Sequence, residues 1–199
     1  MSEPPGSPQS QRTIAAAHPL AERLIARLRG RPARILDFAS GRGRNANALR
    51  RAGFTVVAIN DGSAAAETPL IGVGMDFAAA LSTHGLLHGT TSTVAERVRW
   101  LAEHLAERGL LFATFGSSRD TRFGQGDRLD ASTFAPTLGD ERGVAHAFFD
   151  GERLRVLLER FFVVESLEEH GVDQIAGSWA HREHPLSGAV HWFAIAQRR

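Results

Sequence analysis

Short apolar runs alternate along the chain with stretches in which apolar residues recur every three or four positions. The short runs are typical of buried strands, and the period of three to four is typical of amphipathic helices. We therefore predict strands over residues 34–39, 54–59, 75–81, 110–115, 161–167 and 190–196, and helices over residues 18–29, 44–53, 94–108 and 152–160. Strands that alternate with helices predict an α/β fold, in which a mostly parallel sheet carries helices on both faces.

Proline and glycine mark the expected ends of several elements. Pro19 suits the first turn of a helix, and Gly30 suits the position after its last turn. Gly109 is expected to close the helix over residues 94–108. Residues 117–144 are polar and rich in glycine, so we predict a long loop there, and such loops in compact domains are usually functional.

Length and composition limit the class of protein. The 199 residues suit one domain, which we place at residues 14–199, after a lead-in at residues 1–13 whose prolines and polar residues predict disorder. The net charge of +1 argues against nucleic acid as a partner. The chain has no cysteine, no apolar run long enough to span a bilayer and no secretion-signal pattern. We therefore expect a cytoplasmic protein without a membrane partner.

A glycine-rich turn follows the first predicted strand and leads into a helix. The run Ile-Leu-Asp-Phe-Ala-Ser-Gly-Arg-Gly-Arg-Asn occupies residues 35–45. Such turns let the backbone approach a ligand closely at a helix N-terminus. Gly41, Gly43 and Ala46, with Asp61 about 20 residues further on, also match the dinucleotide fingerprint. The turn alone is therefore compatible with a nicotinamide cofactor or with S-adenosylmethionine.

Asp37 favours one of these two cofactors. It lies inside the end of the strand, four positions before Gly41. A carboxylate there can pair with the ammonium group of S-adenosylmethionine, whereas it would repel a dinucleotide pyrophosphate. Asn60 and Asp61 end the second predicted strand, where either can bond ribose hydroxyls, although turn formation also explains Asp61. S-adenosylmethionine is thus the expected cofactor, and an NAD(P)-dependent oxidoreductase is the less favoured alternative.

Residues 37–43 resemble motif I of the class I S-adenosylmethionine-dependent methyltransferases. Three later segments, at residues 82–90, 115–117 and 177–181, resemble bacterial members of that class related to the tellurite-resistance and thiopurine-type enzymes. The resemblance covers roughly residue 34 to the C-terminus. It implies a Rossmann-like sheet in the order 3-2-1-4-5-7-6 with an antiparallel last strand. It also implies methyl transfer to a small-molecule acceptor by direct displacement at the sulfonium.

The matching positions define the expected site. The expected cofactor-binding residues are Asp37, Phe38, Ala39, Ser40, Gly41, Gly43, Asn60, Asp61 and Ser82. His84 is the expected base if a proton must leave the acceptor, because an unperturbed imidazole titrates near neutral pH. The expected substrate-contacting residues are His88, Arg119, Arg122, Trp179 and His181.

Two of these groups have competing interpretations. His84 and His88 are four positions apart, which on a helix would place both on one face and could hold a metal ion. The sequence places no carboxylate beside them, so we expect no metal there. Arg119 and Arg122 follow the fourth predicted strand, at the sheet edge where ligands bind. Glycines nearby predict a mobile substrate loop, and a solvated loop with local ion pairs is the alternative.

One stretch departs from the family pattern. Residues 62–74 leave room for one minimal crossover of about 10 to 12 residues. The segment that holds the family's third strand and adenine loop needs about 30 residues. We therefore expect the third, edge strand to be reduced or absent, and the cofactor to be held mainly by its amino-acid half. A degenerate, non-catalytic binding protein, a site completed in a homodimer, and an adenine covered by residues 12–28 are the alternatives.

Overall fold

The computed structural model describes residues 16–59, 75–139, 141–175, 177–178 and 187–199. The expected disordered lead-in and the short connection over residues 62–74 lie outside the described residues, so both stay predictions.

The helices and strands follow the alternation that the sequence predicts. The helices are α1 (Pro19–Leu28), α2 (Arg44–Arg51), α3 (Thr91–His104) and α4 (Gly151–Glu159). The strands are β1 (Arg34–Phe38), β2 (Thr55–Ile59), β3 (Phe77–Ser82), β4 (Leu105–Ser117), β5 (Asp127–Arg128), β6 (Thr133–Ala135), β7 (His146–Phe149), β8 (Phe162–Gly171) and β9 (Val190–Arg198). A 3₁₀ turn, Val172–Gln174, follows β8. Within the described residues, no helix is both long enough and apolar enough to cross a membrane.

The main sheet has the strand order β2-β1-β3-β4-β9-β8. The first four strands are parallel, and β9 runs antiparallel to both β4 and β8. This order matches the implied order 3-2-1-4-5-7-6, except that the edge strand numbered 3 in that order is not among the described residues. The prediction of a mostly parallel sheet with an antiparallel last strand is therefore confirmed.

Helices cover both faces of this sheet. Alternate residues of β1 point to opposite faces, as strand geometry requires. Ile35 packs in a cluster with Leu20 and Leu24 of α1, whereas Leu36 packs in a second cluster with Val98 and Leu101 of α3. Two apolar layers therefore fix β1 from both sides and hold the turn that follows it.

The structure corrects the expected boundary between α3 and β4. The helix ends at His104, not at residue 108, and β4 begins at the next residue. Gly109 lies inside β4, where an added Cβ would come within 3.0 Å of the Phe77 carbonyl oxygen of β3. Arg108 before it has a left-handed φ of 59°, and the β3–β4 register shifts here. The contacts at this position come from β3 and also from the preceding Ala106 carbonyl oxygen at 2.9 Å, so Gly109 lies in a tight part of β4 and does not end the helix.

The long loop predicted over residues 117–144 is also corrected. It contains the short antiparallel strands β5 and β6. β7 then runs parallel to the end of β4, with Gly116 opposite Phe148. An added Cβ on Gly116 would lie 2.5 Å from the Ala147 carbonyl oxygen, so this glycine permits the pairing. The segment therefore forms an extension of the sheet at its carboxyl edge.

Candidate active site

A tight turn joins β1 to α2 at the carboxyl edge of the sheet. Ala39, Gly41 and Gly43 have φ angles of 56°, 53° and 75°, all in the left-handed region. That region suits glycine and costs an alanine roughly 1 to 2 kcal/mol. α2 begins after Gly43 without a side-chain cap, and the space where a Gly43 Cβ would stand is open. The turn therefore offers backbone groups, rather than side chains, to a ligand in front of α2.

Asp37 is the buried carboxylate behind this turn. It is 1% exposed, and its Oδ2 has no hydrogen-bond partner among the described residues. Burial raises its pKa to about 7, although the Ala46 N–H and the charges of Arg50 and Arg44 oppose the rise. A carboxylate in such a position is unsatisfied until a cation or a donor reaches it.

The other predicted cofactor residues have different positions. The Phe38 side chain lies in the core against Trp100, with ring centroids 5.8 Å apart, so only its backbone belongs to the turn. The Ser40 N–H donates to the Ile59 carbonyl oxygen at 2.7 Å, which joins the turn to the end of β2. Ser82 ends β3 and is fully buried. The remaining predicted residues, Asn60, Asp61, Trp179 and His181, lie outside the described residues.

The first turn of α2 connects the parts of the site. The Asn45 side chain accepts the His18 N–H at 2.9 Å and donates to Thr83 Oγ1 at 2.9 Å. The Arg44 guanidinium donates to the carbonyl oxygens of Ala16 and Gly177. This helix turn therefore holds the chain before α1 and the chain after β3 against motif I.

Three histidines form a buried row beside this turn. His84 lies between His18 and His191, with ring centroids 6.2 and 6.1 Å away. Burial lowers the pKa of His18 and of His191 to about 3, and it lowers the pKa of His84 well below its ordinary value. The reason for choosing His84 from the sequence, an imidazole that titrates near neutral pH, is thus wrong. The row consists of neutral imidazoles, and the role of His84 as a base stays a prediction.

His84 and His88 belong to separate groups. The residues between them form turns rather than the helix that would align them on one face. The His88 ring lies 4.9 Å from the His146 ring, and both face Glu141. The carboxylate that the sequence does not place near His88 therefore comes from the segment between β6 and β7.

The two predicted substrate arginines have unlike surroundings. Arg122 donates through Nε and Nη2 to both oxygens of Asp120, each at 2.9 Å, and its Nη2 lies 3.2 Å from His191 Nε2. The Val190 N–H also donates to Asp120, which ties this segment to β9. Arg119 is 75% exposed and pairs with Glu169 of β8. The segment is thus anchored at Asp120, and its expected role in substrate binding stays a prediction.

Sequence reasoning missed His18, Asn45 and Glu141. Their contacts join segments that are far apart in the chain, and no local pattern encodes that proximity. His18 alone had a usable signal, because it directly precedes Pro19. Its Nδ1 accepts the Leu20 N–H at 3.1 Å and caps α1.

Solved structures with the same fold include several methyltransferases. A 1,6-didemethyltoxoflavin-N1-methyltransferase from Burkholderia thailandensis, solved with 1,6-didemethyltoxoflavin and S-adenosylhomocysteine, has a TM-score of 0.58 and 18% identity, over 90% of this chain and 76% of that one. A SAM-dependent methyltransferase from Methanosarcina mazei has a TM-score of 0.59 and 15% identity, over 92% and 99% of the two chains. TehB from Haemophilus influenzae has a TM-score of 0.58 and 13% identity, over 92% and 62%.

No protein-family model and no curated protein matches the sequence. At identities of 10 to 18% the structural neighbours establish the fold alone. The resemblance seen in the sequence is confirmed at that level: the chain has the Rossmann-like fold of class I S-adenosylmethionine-dependent methyltransferases.

Proposed function

We propose that this protein transfers the methyl group of S-adenosylmethionine to a small-molecule acceptor. The observation that carries the proposal is the Asp37 carboxylate, buried behind the motif I turn with an oxygen that has no hydrogen-bond partner in the described part of the chain. An ammonium group from a ligand satisfies such an oxygen, and a charge-assisted hydrogen bond of this kind is worth about 1.5 to 3 kcal/mol.

The residues around Asp37 fit the amino-acid half of this cofactor. The turn through Gly41 and Gly43 offers backbone groups beside the uncapped start of α2, which favours a carboxylate there. Asp37 beneath the turn favours the ammonium. A dinucleotide pyrophosphate would place two negative charges near the same carboxylate, so NAD(P) fits less well. Asn60 and Asp61 are proposed to bond the ribose hydroxyls.

S-adenosylmethionine supplies, when bound, an electrophilic methyl group on a sulfonium. The protein must then hold the acceptor about 3 to 3.5 Å away and in line, and positioning of this kind can supply several kcal/mol. His18, His84 and His191 are neutral when buried, so they bring no positive charge close to the sulfonium. We propose that His84 hydrogen-bonds the acceptor as a neutral imidazole and orients it; its lowered pKa makes it a weak base, so removal of the acceptor's proton is not assigned to it.

The acceptor is proposed to bind beyond the histidine row, near His88, Arg119 and Arg122. Arg122 reaches His191 at 3.2 Å, so the guanidinium and the histidine row meet at one place. Trp179 and His181 are proposed to close over the acceptor. A small-molecule acceptor is supported by the Burkholderia neighbour, whose crystal structure holds 1,6-didemethyltoxoflavin.

Titration calorimetry with three ligands tests the proposal. We expect saturable one-to-one binding of S-adenosylmethionine and S-adenosylhomocysteine and no binding of NAD at the same concentrations. Tight NAD binding without a response to S-adenosylhomocysteine would overturn the proposal in favour of an oxidoreductase. Binding of S-adenosylhomocysteine without turnover on any acceptor would leave a cofactor-binding protein without methyltransferase activity.

A further inference from the structure

Two histidines and one glutamate from separate segments converge beside β7. We call His88, Glu141 and His146 the His–Glu cluster. One donor atom from each lies within 4.8 Å of the other two. His146 Nε2 is 3.2 Å from Glu141 Oε2, and His88 Nε2 is 3.7 Å from Glu141 Oε1. Zinc–ligand bonds of about 2.0 to 2.2 Å at tetrahedral angles place neighbouring donors about 3.4 Å apart, between these two separations.

The surroundings of His146 orient its ring for ligation. Its Nδ1 lies 2.7 Å from the Val144 carbonyl oxygen, which can only accept, so Nδ1 carries a proton. Nε2 therefore faces Glu141 Oε2 at 3.2 Å, and the contact is made either by a proton on Nε2, which gives an ion pair, or by a metal cation that binds both atoms. A carbonyl behind a histidine is also the usual support of a metal ligand.

The charge around the cluster permits a divalent cation. Arg122 Nη1 is 3.7 Å from Glu141 Oε2, but the same guanidinium is paired with Asp120. The donors that the cluster itself offers to an ion are two imidazoles and one carboxylate. This donor set suits zinc, nickel or cobalt better than magnesium or calcium, which prefer oxygen ligands.

We propose that the His–Glu cluster binds a divalent transition-metal ion. Three protein ligands leave at least one coordination position open, as in catalytic rather than structural zinc sites. A cavity of about 70 Å³ adjoins His146 and is lined by Arg122, Gln125, Phe134, Pro136 and Phe148. That volume has room for a water molecule or for one oxygen of a ligand.

The position of the ion also limits which chemical class of molecule can be the methyl acceptor. This step rests on the proposed methyl transfer. The ion would lie beside Arg122, where the acceptor is proposed to bind. It would hold an anionic or chelating oxygen of the acceptor. Metal binding itself does not depend on methyl transfer, so the two proposals can fail separately.

Cobalt binding to chelator-treated protein tests the site. Co²⁺ is titrated while its visible absorption is recorded, and Zn²⁺ is then added in competition. We expect one equivalent of Co²⁺ to bind and Zn²⁺ to displace it. H88N and E141Q should each weaken binding at least about 100-fold, because loss of even an outer-shell partner costs 10- to 100-fold. H146N should weaken binding to a similar degree. If H146N does not fold, H88N and E141Q still test the site, because both positions are partly exposed.

The matched control is H170N. His170 Nε2 lies 3.1 Å from Glu168 Oε2, so this variant removes a similar His–Glu pair. Within the described ranges, no third metal-ligating side chain joins that pair. It should bind Co²⁺ as the unaltered protein does. Wild-type affinity in both H88N and E141Q would overturn the proposal. The absence of saturable binding below about 1 mM, the range of the weakest protein metal sites, would also overturn it. A proton, rather than a metal ion, would then hold the cluster together. D37N should keep metal binding even where it loses S-adenosylhomocysteine.

Discussion

Two buried aspartates at the carboxyl edge of the sheet have opposite environments. Asp37 is 1% exposed and Asp120 is 3% exposed. Burial raises the pKa of Asp37 to about 7, and the weak partners around it do not reverse that rise. Burial also acts on Asp120, but hydrogen bonds and charge from Arg122, with the Val190 N–H, hold its pKa below the ordinary value.

The difference separates a structural carboxylate from one that fits a ligand. Asp120 has all its partners within the chain, and it fixes the segment after β4 to β9. Asp37 has an oxygen without a partner in the described residues, at the turn where a cofactor would bind. Removing charge at the two positions should therefore have opposite effects on the free protein.

The largest expected effect is that of Arg122→Ala. It leaves Asp120 charged, buried and without its cation, and breaking a buried pair in this way typically costs about 3 to 5 kcal/mol. Urea unfolding at pH 7 measures the loss, with Arg128→Ala as the exposed-arginine control. A loss of unfolding free energy below about 1 kcal/mol would show that the buried Asp120 carboxylate does not need Arg122 as its counter-ion.

Asp37→Asn should have two effects of opposite sign. At pH 8 it removes an unpaired buried charge, so the ligand-free protein should gain on the order of 1 to 3 kcal/mol of stability. It also removes the ammonium partner, so S-adenosylhomocysteine should bind about 10- to 100-fold more weakly, which corresponds to about 1.5 to 3 kcal/mol. Asp127→Asn at an exposed carboxylate is the control for both measurements. Lower stability together with unchanged binding would make Asp37 a structural residue like Asp120.

The same two regions show how far sequence reasoning reaches. Around Asp37 the strand, the glycine turn and the helix are neighbours in the chain, so periodicity and the turn residues predicted their order. The parallel sheet followed from the alternation of such units. The left-handed φ of Ala39 was not predictable, because alanine gives no signal for that conformation.

The region after β4 was predicted poorly because its structure depends on distant contacts. β7 is too short to show a period, and it forms because Gly116 leaves space for the Ala147 carbonyl oxygen. Gly109 looked like a helix end, although it lies inside β4, close to carbonyl oxygens of Ala106 and of Phe77 in β3. His88 meets Glu141 across 53 positions of chain. No window of sequence contains both partners of such contacts.

The pH dependence of ligand binding should distinguish the two aspartates further. The pKa of Asp37 is about 7 in the free protein, so the ionised form that pairs with an ammonium is lost as pH falls. α-Amino groups titrate near pH 8, so about three quarters of the ligand is still protonated at pH 7.5 and nearly all of it at pH 6. S-adenosylhomocysteine should bind roughly sixfold more weakly at pH 6 than at pH 7.5, measured by calorimetry. Asp37→Asn should remove this dependence.

Protein stability should respond to pH with opposite signs at the two positions. The pKa of Asp37 is raised on folding, so its contribution is greatest below pH 3.8 and is lost as pH rises towards 7. The pKa of Asp120 is lowered, so its contribution is present above pH 3.8 and is lost as pH falls. The stability gain of Asp37→Asn over the unaltered protein should therefore grow from pH 4 to pH 7.5, and a gain that is constant with pH would contradict the assignment.

The smallest stability effect is expected for Arg119→Ala, and that makes it the sharper test of the substrate segment. The Arg119 side chain is 75% exposed and its partner Glu169 is 7% exposed, but Ser117 Oγ still donates to Glu169 when Arg119 is removed. Water screens the exposed guanidinium, so the expected loss is about 1 kcal/mol, below that of Arg122→Ala. Loss of turnover in Arg122→Ala could reflect a loosened segment, whereas Arg119→Ala should leave the segment folded. If Arg119 contacts the acceptor, its variant should raise KM or lower kcat while urea unfolding stays within about 1 kcal/mol. Lys at position 119 keeps the charge and should restore part of the activity, since a lysine can still attract an anionic acceptor. Unchanged kinetics in Arg119→Ala would make this arginine only the surface partner of Glu169, and would leave Arg122 as the one predicted arginine near the acceptor.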